Sequence, residues 1–122
     1  MSKQIYESNL LLKNIIESIN NLKGKDIISL DLRGIESSIF KYFIICTGNS
    51  NIHVNAIQKN ITKNIANKLK EKPWHVEGEK TSDWVLIDYS DILVHIFQEN
   101  IRQLYKLEEL WGDAIITHHK IS

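Results

Sequence analysis

Ile5, Leu12, Ile15, Ile16, Ile19 and Leu22 recur every three or four residues. That is the period of a helix with one buried face, and it stops at Gly24. The pattern then changes to β-branched runs. Residues 26–31 predict a short strand ended by Arg33-Gly34, and residues 42–47 (Tyr-Phe-Ile-Ile-Cys-Thr) are apolar on both faces. Two-sided apolarity predicts a central strand with layers above and below. Gly48-Asn49-Ser50 punctuates the chain before a second helix over about 52–71, with Val54, Ile57, Ile61 and Ile65 as its buried stripe. Pro73 closes that helix. Residues 74–77 predict a short strand, and 84–88 and 92–97 predict two stronger ones joined by 89–91 as an antiparallel hairpin. A last helix is predicted over 99–111, stopping at Gly112, with Leu104, Leu107 and Trp111 on one stripe and Leu110 beside it, all suited to the core. Residues 117–122 read as a frayed end.

The order α-β-β-α-β-β-β-α predicts an α/β (α+β) domain, a mixed sheet of about five strands packed with helices. No repeat or composition shift divides residues 1–122, so a single domain is expected. Hydrophobic residues make up 43% and charged residues 25%, as in soluble globular proteins. The formal net charge of zero argues against a non-specific nucleic-acid coat or a polybasic membrane surface. That zero hides an asymmetry: residues 1–72 hold 11 Lys/Arg against 6 Asp/Glu, and residues 73–122 hold 4 against 9. If the second set forms a face, it suits a basic protein partner; otherwise it is scatter on a solvated surface. The single cysteine, Cys46, excludes an intrachain disulfide. With no apolar run near ~20 residues and no secretory leader in the amino-terminal residues, a cytoplasmic location away from membranes is the expectation.

Gly48-Asn49-Ser50 sits between a strand and a helix, where N–H groups can hold an anion, or where Ser50 simply caps the helix. A nucleotidyl or phosphoryl transferase built on this turn needs carboxylates for magnesium, yet no acid occurs between Ser50 and Glu71. Asp88 and Asp91 flank a hairpin turn at odd separation and share no sheet face. His118 and His119 are adjacent without a third ligand at metal spacing, so no metal or other cofactor is expected. His95, inside an apolar strand, suits a core or interface position, and Cys46 reads as a small buried hydrophobe. The aromatic residues say more. Trp84 shares a strand face with Leu86 and Asp88, and Tyr105 lies off the last helix's stripe, three residues after Arg102 and three before Glu108. Tryptophan, tyrosine and arginine beside acids have the composition of a binding hot spot, although Trp84 fits a core position equally well.

Residues 42–50 (Tyr-Phe-Ile-Ile-Cys-Thr-Gly-Asn-Ser), followed by His53-Val54 and Ala56, resemble the central signature of the ribosomal silencing factor (Iojap) family. The likeness continues through Glu77-Gly78, residues 83–89, residues 91–97, Arg102, Tyr105, Leu107-Glu108 and Leu110-Trp111; with residues 22–27 it covers nearly the whole chain. It implies a nucleotidyltransferase-like fold that has lost its catalytic carboxylates. It also implies a non-enzymatic role: binding ribosomal protein fourteen of the large ribosomal subunit, blocking the small subunit, and lowering translation when nutrients are scarce. Homodimers of the free protein are implied too, and no sequence-specific contact with nucleic acid. By position, the resemblance makes Trp84 the first interface candidate, followed by Tyr105, Glu108, Asp88 and His95. Lys41, Asn49 and Ser90 depart from the aspartate, threonine and glycine usual there. An outward Trp84 is expected to be removable with little loss of thermal stability. The rival expectation is a small metal-dependent nucleotidyl or phosphoryl transferase using Ser50 and Asp88.

Overall fold

The computed structural model describes residues 3–119, with side chains from Ser8 onward. Ile5, as a side chain, and residues 120–122 of the expected frayed end therefore lie outside the described residues. The chain runs α1 (Lys3–Asn21), β1 (Lys25–Asp31), β2 (Tyr42–Gly48), α2 (Asn51–Leu69), β3 (His75–Glu77), β4 (Trp84–Asp88), β5 (Ile92–Gln98), α3 (Glu99–Tyr105), α4 (Leu107–Leu110) and β6 (Ile115–His119). The strands form one six-stranded mixed sheet in the order β3-β4-β5-β2-β1-β6. Among the described residues only β2 and β5 pair in parallel; the other neighbours are antiparallel.

Helices α1 and α2 cover one face of this sheet. Ile15 and Ile19 from α1 and Val54, Ile57, Ile61 and Ile65 from α2 meet Ile44, Cys46, Val85, Ile87, Val94 and Ile96 in the larger core cluster. Every residue of β2 is buried, as its two-sided apolarity requires. The opposite face carries a smaller cluster of Ile28, Leu30, Leu32, Phe43, Ile45 and Phe97, closed by Phe40, Ile101, Leu107 and Trp111. Removal of these side chains from water holds both layers on the sheet.

Two expectations fail here. The end expected to fray contains a sixth strand: Thr117–His119 belong to β6, which pairs antiparallel with β1 from Ile27↔His119 to Asp31↔Ile115. The open side of β1 supplies ladder partners, and Ser29 Oγ lies 2.8 Å from His119 Nε2. The last helix, expected to run unbroken over 99–111, breaks at Lys106, where the backbone turns left-handed (φ 45°) and Lys106 N donates to Arg102 O. The break turns Leu104 and Leu110 outward, each 73% exposed, and they are not core residues; Leu107 and Trp111 do pack inward.

Candidate interaction surface

The signature turn after β2 is built for structure. Ser50 caps α2: its Oγ accepts from His53 N at 3.1 Å. His53 ties three segments together, with Nδ1 accepting from Asn49 N at 2.8 Å and Nε2 2.7 Å from Leu22 O. A Cβ on Gly48 would lie 2.7 Å from Val54 Cγ2, so glycine lets β2 and α2 close together. Arg102 is similarly committed, its Nη1 donating to Asp26 O and, at 2.8 Å, to Thr47 Oγ1. Cys46 is fully buried, and burial pushes its thiol up to about 12, far from reactive thiolate. Ser50 and Asp88 lie at opposite ends of the sheet: Gly48 is level with Gln98, whereas Asp88 is level with Leu93. Among the described residues no three His, Cys, Asp or Glu side chains group as ligands of a metal would, and no helix is long and apolar enough to cross a membrane.

The sheet face opposite α1 and α2 is different. Along β4 burial alternates, with Val85 and Ile87 buried and Trp84, Leu86 and Asp88 half-buried on this second face. The register lines up rows across it. One row is Glu77, Leu86, His95 and Ile45; the next is His75, Asp88, Leu93 and Phe43; Trp84 stands beside Phe97. Helix α3 packs over β5 and β2. Leu86 and Leu93 are therefore left half-buried, with the exposed His75 and Glu77 of β3 alongside.

Trp84 stacks on Phe97 with ring centroids 4.8 Å apart and meets the Tyr105 ring at a 44° tilt, 4.9 Å away. Its indole Nε1 donates to His95 Nδ1 at 3.2 Å. That bond leaves Nδ1 without a proton, so the neutral ring carries its proton on Nε2, which has no hydrogen-bond partner and no solvent. Burial pushes the His95 pKa down to about 3, so the ring is neutral at physiological pH. Phe43 meets His95 edge-on at 4.7 Å, and Trp111 meets Phe43 at 5.6 Å, which continues the row of rings into the core. The loop before Trp84 is held from both ends. Gly78 turns with φ 87°, and its missing Cβ would strike Trp84 O; Gln98 N donates to Asp83 O at 2.9 Å.

Three of the residues singled out from sequence thus meet: Trp84, His95 and Tyr105. Trp84 is half-buried rather than outward, so its removal costs stability. Asp88 shares its face but stands four residues along the strand, about 13 Å away, with Oδ1 accepting from Ser90 N at 2.8 Å. Glu108 does not join them. It lines a groove of about 510 Å³ between the α3–α4 segment and β1–β6, with Asp26, Arg102, Lys106 and His118. The sequence put Leu86 on the face of Trp84 and Asp88, but Glu77 and Leu93 were not singled out as site residues, because only strand register sets Glu77 and Leu86 in the row of His95 and Leu93 beside Asp88.

A family model described as "Ribosomal silencing factor during starvation" matches residues 5–122. A curated relative from Haemophilus influenzae, named ribosomal silencing factor RsfS, is 39% identical over 102 residues, covering 84% of this chain and 98% of that one. The chloroplastic protein Iojap of Zea mays is 32% identical over 102 residues, 83% of this chain and 43% of its own. A crystal structure of a Chromobacterium violaceum protein superposes with a TM-score of 0.80 at 34% identity, covering 85% of each chain. The match of the family model along nearly the full length, the identities and the shared fold agree: the chain belongs to the ribosomal silencing factor family.

Proposed function

We propose that this chain represses translation in the cytoplasm by occupying a surface of the large ribosomal subunit. It docks on ribosomal protein fourteen where the small subunit would join, and it pairs with a second copy when free. The observation that carries this reading is the second sheet face at β4 and β5. Trp84, Tyr105, Leu86 and Leu93 form its apolar centre, with the carboxylates of Asp83 and Asp88 at the two ends of β4 and that of Glu77 on the neighbouring β3. An apolar aromatic centre with a charged rim is the anatomy of a docking site, and carboxylates suit a basic partner.

The action is steric and makes no bond. The transferase reading needs Ser50 and Asp88 to act together on one substrate. Ser50 Oγ is engaged in capping α2, and the two residues stand at opposite ends of the sheet. The test is direct binding of the purified chain to isolated ribosomal protein fourteen. The account expects an affinity that weakens as salt rises and that Glu77→Lys or Asp88→Lys lowers. Binding unaffected by both charge reversals would remove the electrostatic part of the proposal.

A further inference from the structure

Helix α2, on the side of the sheet away from Trp84, carries charge of one sign. Residues 51–76 hold five lysines and a single acid, Glu71. Val54, Ile57, Ile61 and Ile65 take the inner side of the helix and are wholly buried. Lys59 and Lys63 stand one turn apart on the opposite side, and Lys70 follows at the helix end, about two turns on. These lysines and Lys72 are exposed, and among the described residues none of them forms an ion pair or a side-chain hydrogen bond. Glu71 lies near Tyr89, whose hydroxyl pKa is raised by burial and then by that charge. Trp74 comes next along the chain. It is 73% exposed, the most exposed aromatic side chain among the described residues, whereas Trp84 and Trp111 pack against other rings. Its backbone N–H donates to Asp88 O at 2.7 Å, which fixes it at the start of β3. With three residues between them, Trp74 and Lys70 have α-carbons at most about 14 Å apart.

We propose that the outer side of α2 and Trp74 bind an unpaired strand of the large subunit's ribosomal RNA, with Lys59, Lys63, Lys70 and Lys72 along its phosphates and a base stacked on Trp74. Each feature answers to a different part of the ligand. Ammonium groups spread over about 16 Å of helix neutralise a phosphate backbone whatever its sequence. A free indole face is a platform for an unpaired base, and bases inside a duplex do not offer their faces. No base edge is read, so no sequence preference is expected. A lipid surface is the poorer fit, because the apolar stripe that would enter it, Val54 to Ile65, is spent on the core. The location agrees with RNA. Trp74 adjoins His75, which stands in the docking-face row with Asp88 and Leu93. A chain seated on ribosomal protein fourteen through that face brings Trp74, at the β3 edge, to the RNA bordering that protein. Carboxylates on one face and lysines on the other let a chain of zero net charge meet both a basic protein and RNA.

The inference rests on the docking reading for the source of the RNA, and the two fail separately. Fluorescence anisotropy measures binding of the purified chain to labelled oligouridine of about ten nucleotides and to an RNA duplex of the same length. Wild type, Trp74→Ala, Trp74→Phe and the double variant Lys59→Glu/Lys63→Glu are compared. Each is also titrated against large subunits and against isolated ribosomal protein fourteen. Wild type is expected to prefer the single strand, with an affinity that falls steeply as salt rises. Trp74→Ala should weaken it at least about fivefold and Trp74→Phe less, because a ring remains to stack on. The lysine variant should weaken it roughly tenfold or more and flatten the salt dependence. All these side chains are exposed, so Tm stays close to that of wild type. Binding to large subunits should weaken in the same order, and binding to isolated protein fourteen should not change. Large-subunit affinities equal to wild type in Trp74→Ala and the lysine variant overturn the inference and leave the docking reading standing. Tighter binding to the duplex, or to phosphatidylserine vesicles, also overturns it. A wild type that binds oligouridine but not protein fourteen overturns the docking reading, and with it the assignment of this RNA to the large subunit.

Discussion

Replacing Trp84 by alanine tests how one side chain can serve both the fold and a partner. Truncating a fully buried aromatic residue costs about 3–5 kcal/mol, and Trp84 is half-buried, so about 2 kcal/mol of packing is lost. His95 Nδ1 loses its donor in a site that water does not reach, which adds about 1 kcal/mol. A destabilisation of about 3 kcal/mol lowers Tm by about 10 °C in a chain of this size. It leaves most molecules folded at low temperature if stability lies within the usual ~5–15 kcal/mol. Trp84→Phe keeps a ring on Phe97 and Tyr105 and loses the indole bond, for about 1 kcal/mol. Binding to isolated large subunits, measured below the variant's Tm, is expected to fall roughly thirtyfold or more for Trp84→Ala, the ~2 kcal/mol of a hot-spot tryptophan. Urea melts supply the stability term, and co-sedimentation with large subunits supplies the affinity. An unchanged Tm would refute the stacking argument. A folded Trp84→Ala that sediments like wild type would refute the docking argument.

Three further outcomes follow from the geometry. The folded His95 pKa of about 3 lies below the ~6.5 of an unfolded histidine, so between those values the unfolded chain holds one more proton and acid favours unfolding. Urea stability should therefore fall by up to about 1.4 kcal/mol per pH unit below pH ~6.5, and His95→Gln should flatten that slope. His119, lowered by burial and by His118, acts in the same sense; Asp31, held down by its hydrogen bond to Arg33, adds a loss only as its own carboxylate protonates at lower pH. Ser90 sits at φ 75°, a conformation that favours glycine, and Ser90→Gly is expected to raise stability by about 1 kcal/mol in a thermal melt. Gly78→Ala forces a Cβ into Trp84 O at a left-handed φ; it should destabilise by more than about 2 kcal/mol and weaken large-subunit binding by displacing Trp84.

Where one face of an element is buried and the other is not, the residue pattern announced it. Trp84, Leu86 and Asp88 alternate with Val85 and Ile87, and the α2 stripe falls at helical spacing, so both elements and their inner faces were readable. What alternation cannot tell is what lies above a face. Trp84 proved to be half-covered because α3, arriving from residues far along the chain, lays Tyr105 against it. Asp88 shares that face but not that place, because a strand carries its side chains along a line. Glu108 was misplaced by a backbone event: Lys106 adopts a left-handed conformation without the glycine that usually advertises one, and the helix beyond it turns away. Strand β6 was hidden because Ile115, Ile116 and Thr117 are too few to establish a period. Their ladder partners in β1 lie more than eighty residues earlier, with Asp31 opposite Ile115.

The departures from the family pattern also have local meanings. Lys41 Nζ stands 3.6 Å from Asp91 Oδ2, the carboxylate oxygen that accepts from Ser8 Oγ of α1 at 3.1 Å, so this lysine pairs with the hairpin turn that Ser8 ties to α1. Asn49 contributes its backbone N–H to His53, a bond that places no demand on its side chain.

Light scattering of purified ribosomal subunits mixed at joining magnesium, with and without this chain in excess, meets the central claim most directly. The account predicts that preincubating the large subunit with the chain suppresses formation of the joined ribosome, that the chain remains with the large subunit, and that Trp84→Ala loses both effects. Normal joining with the wild-type chain bound would contradict it.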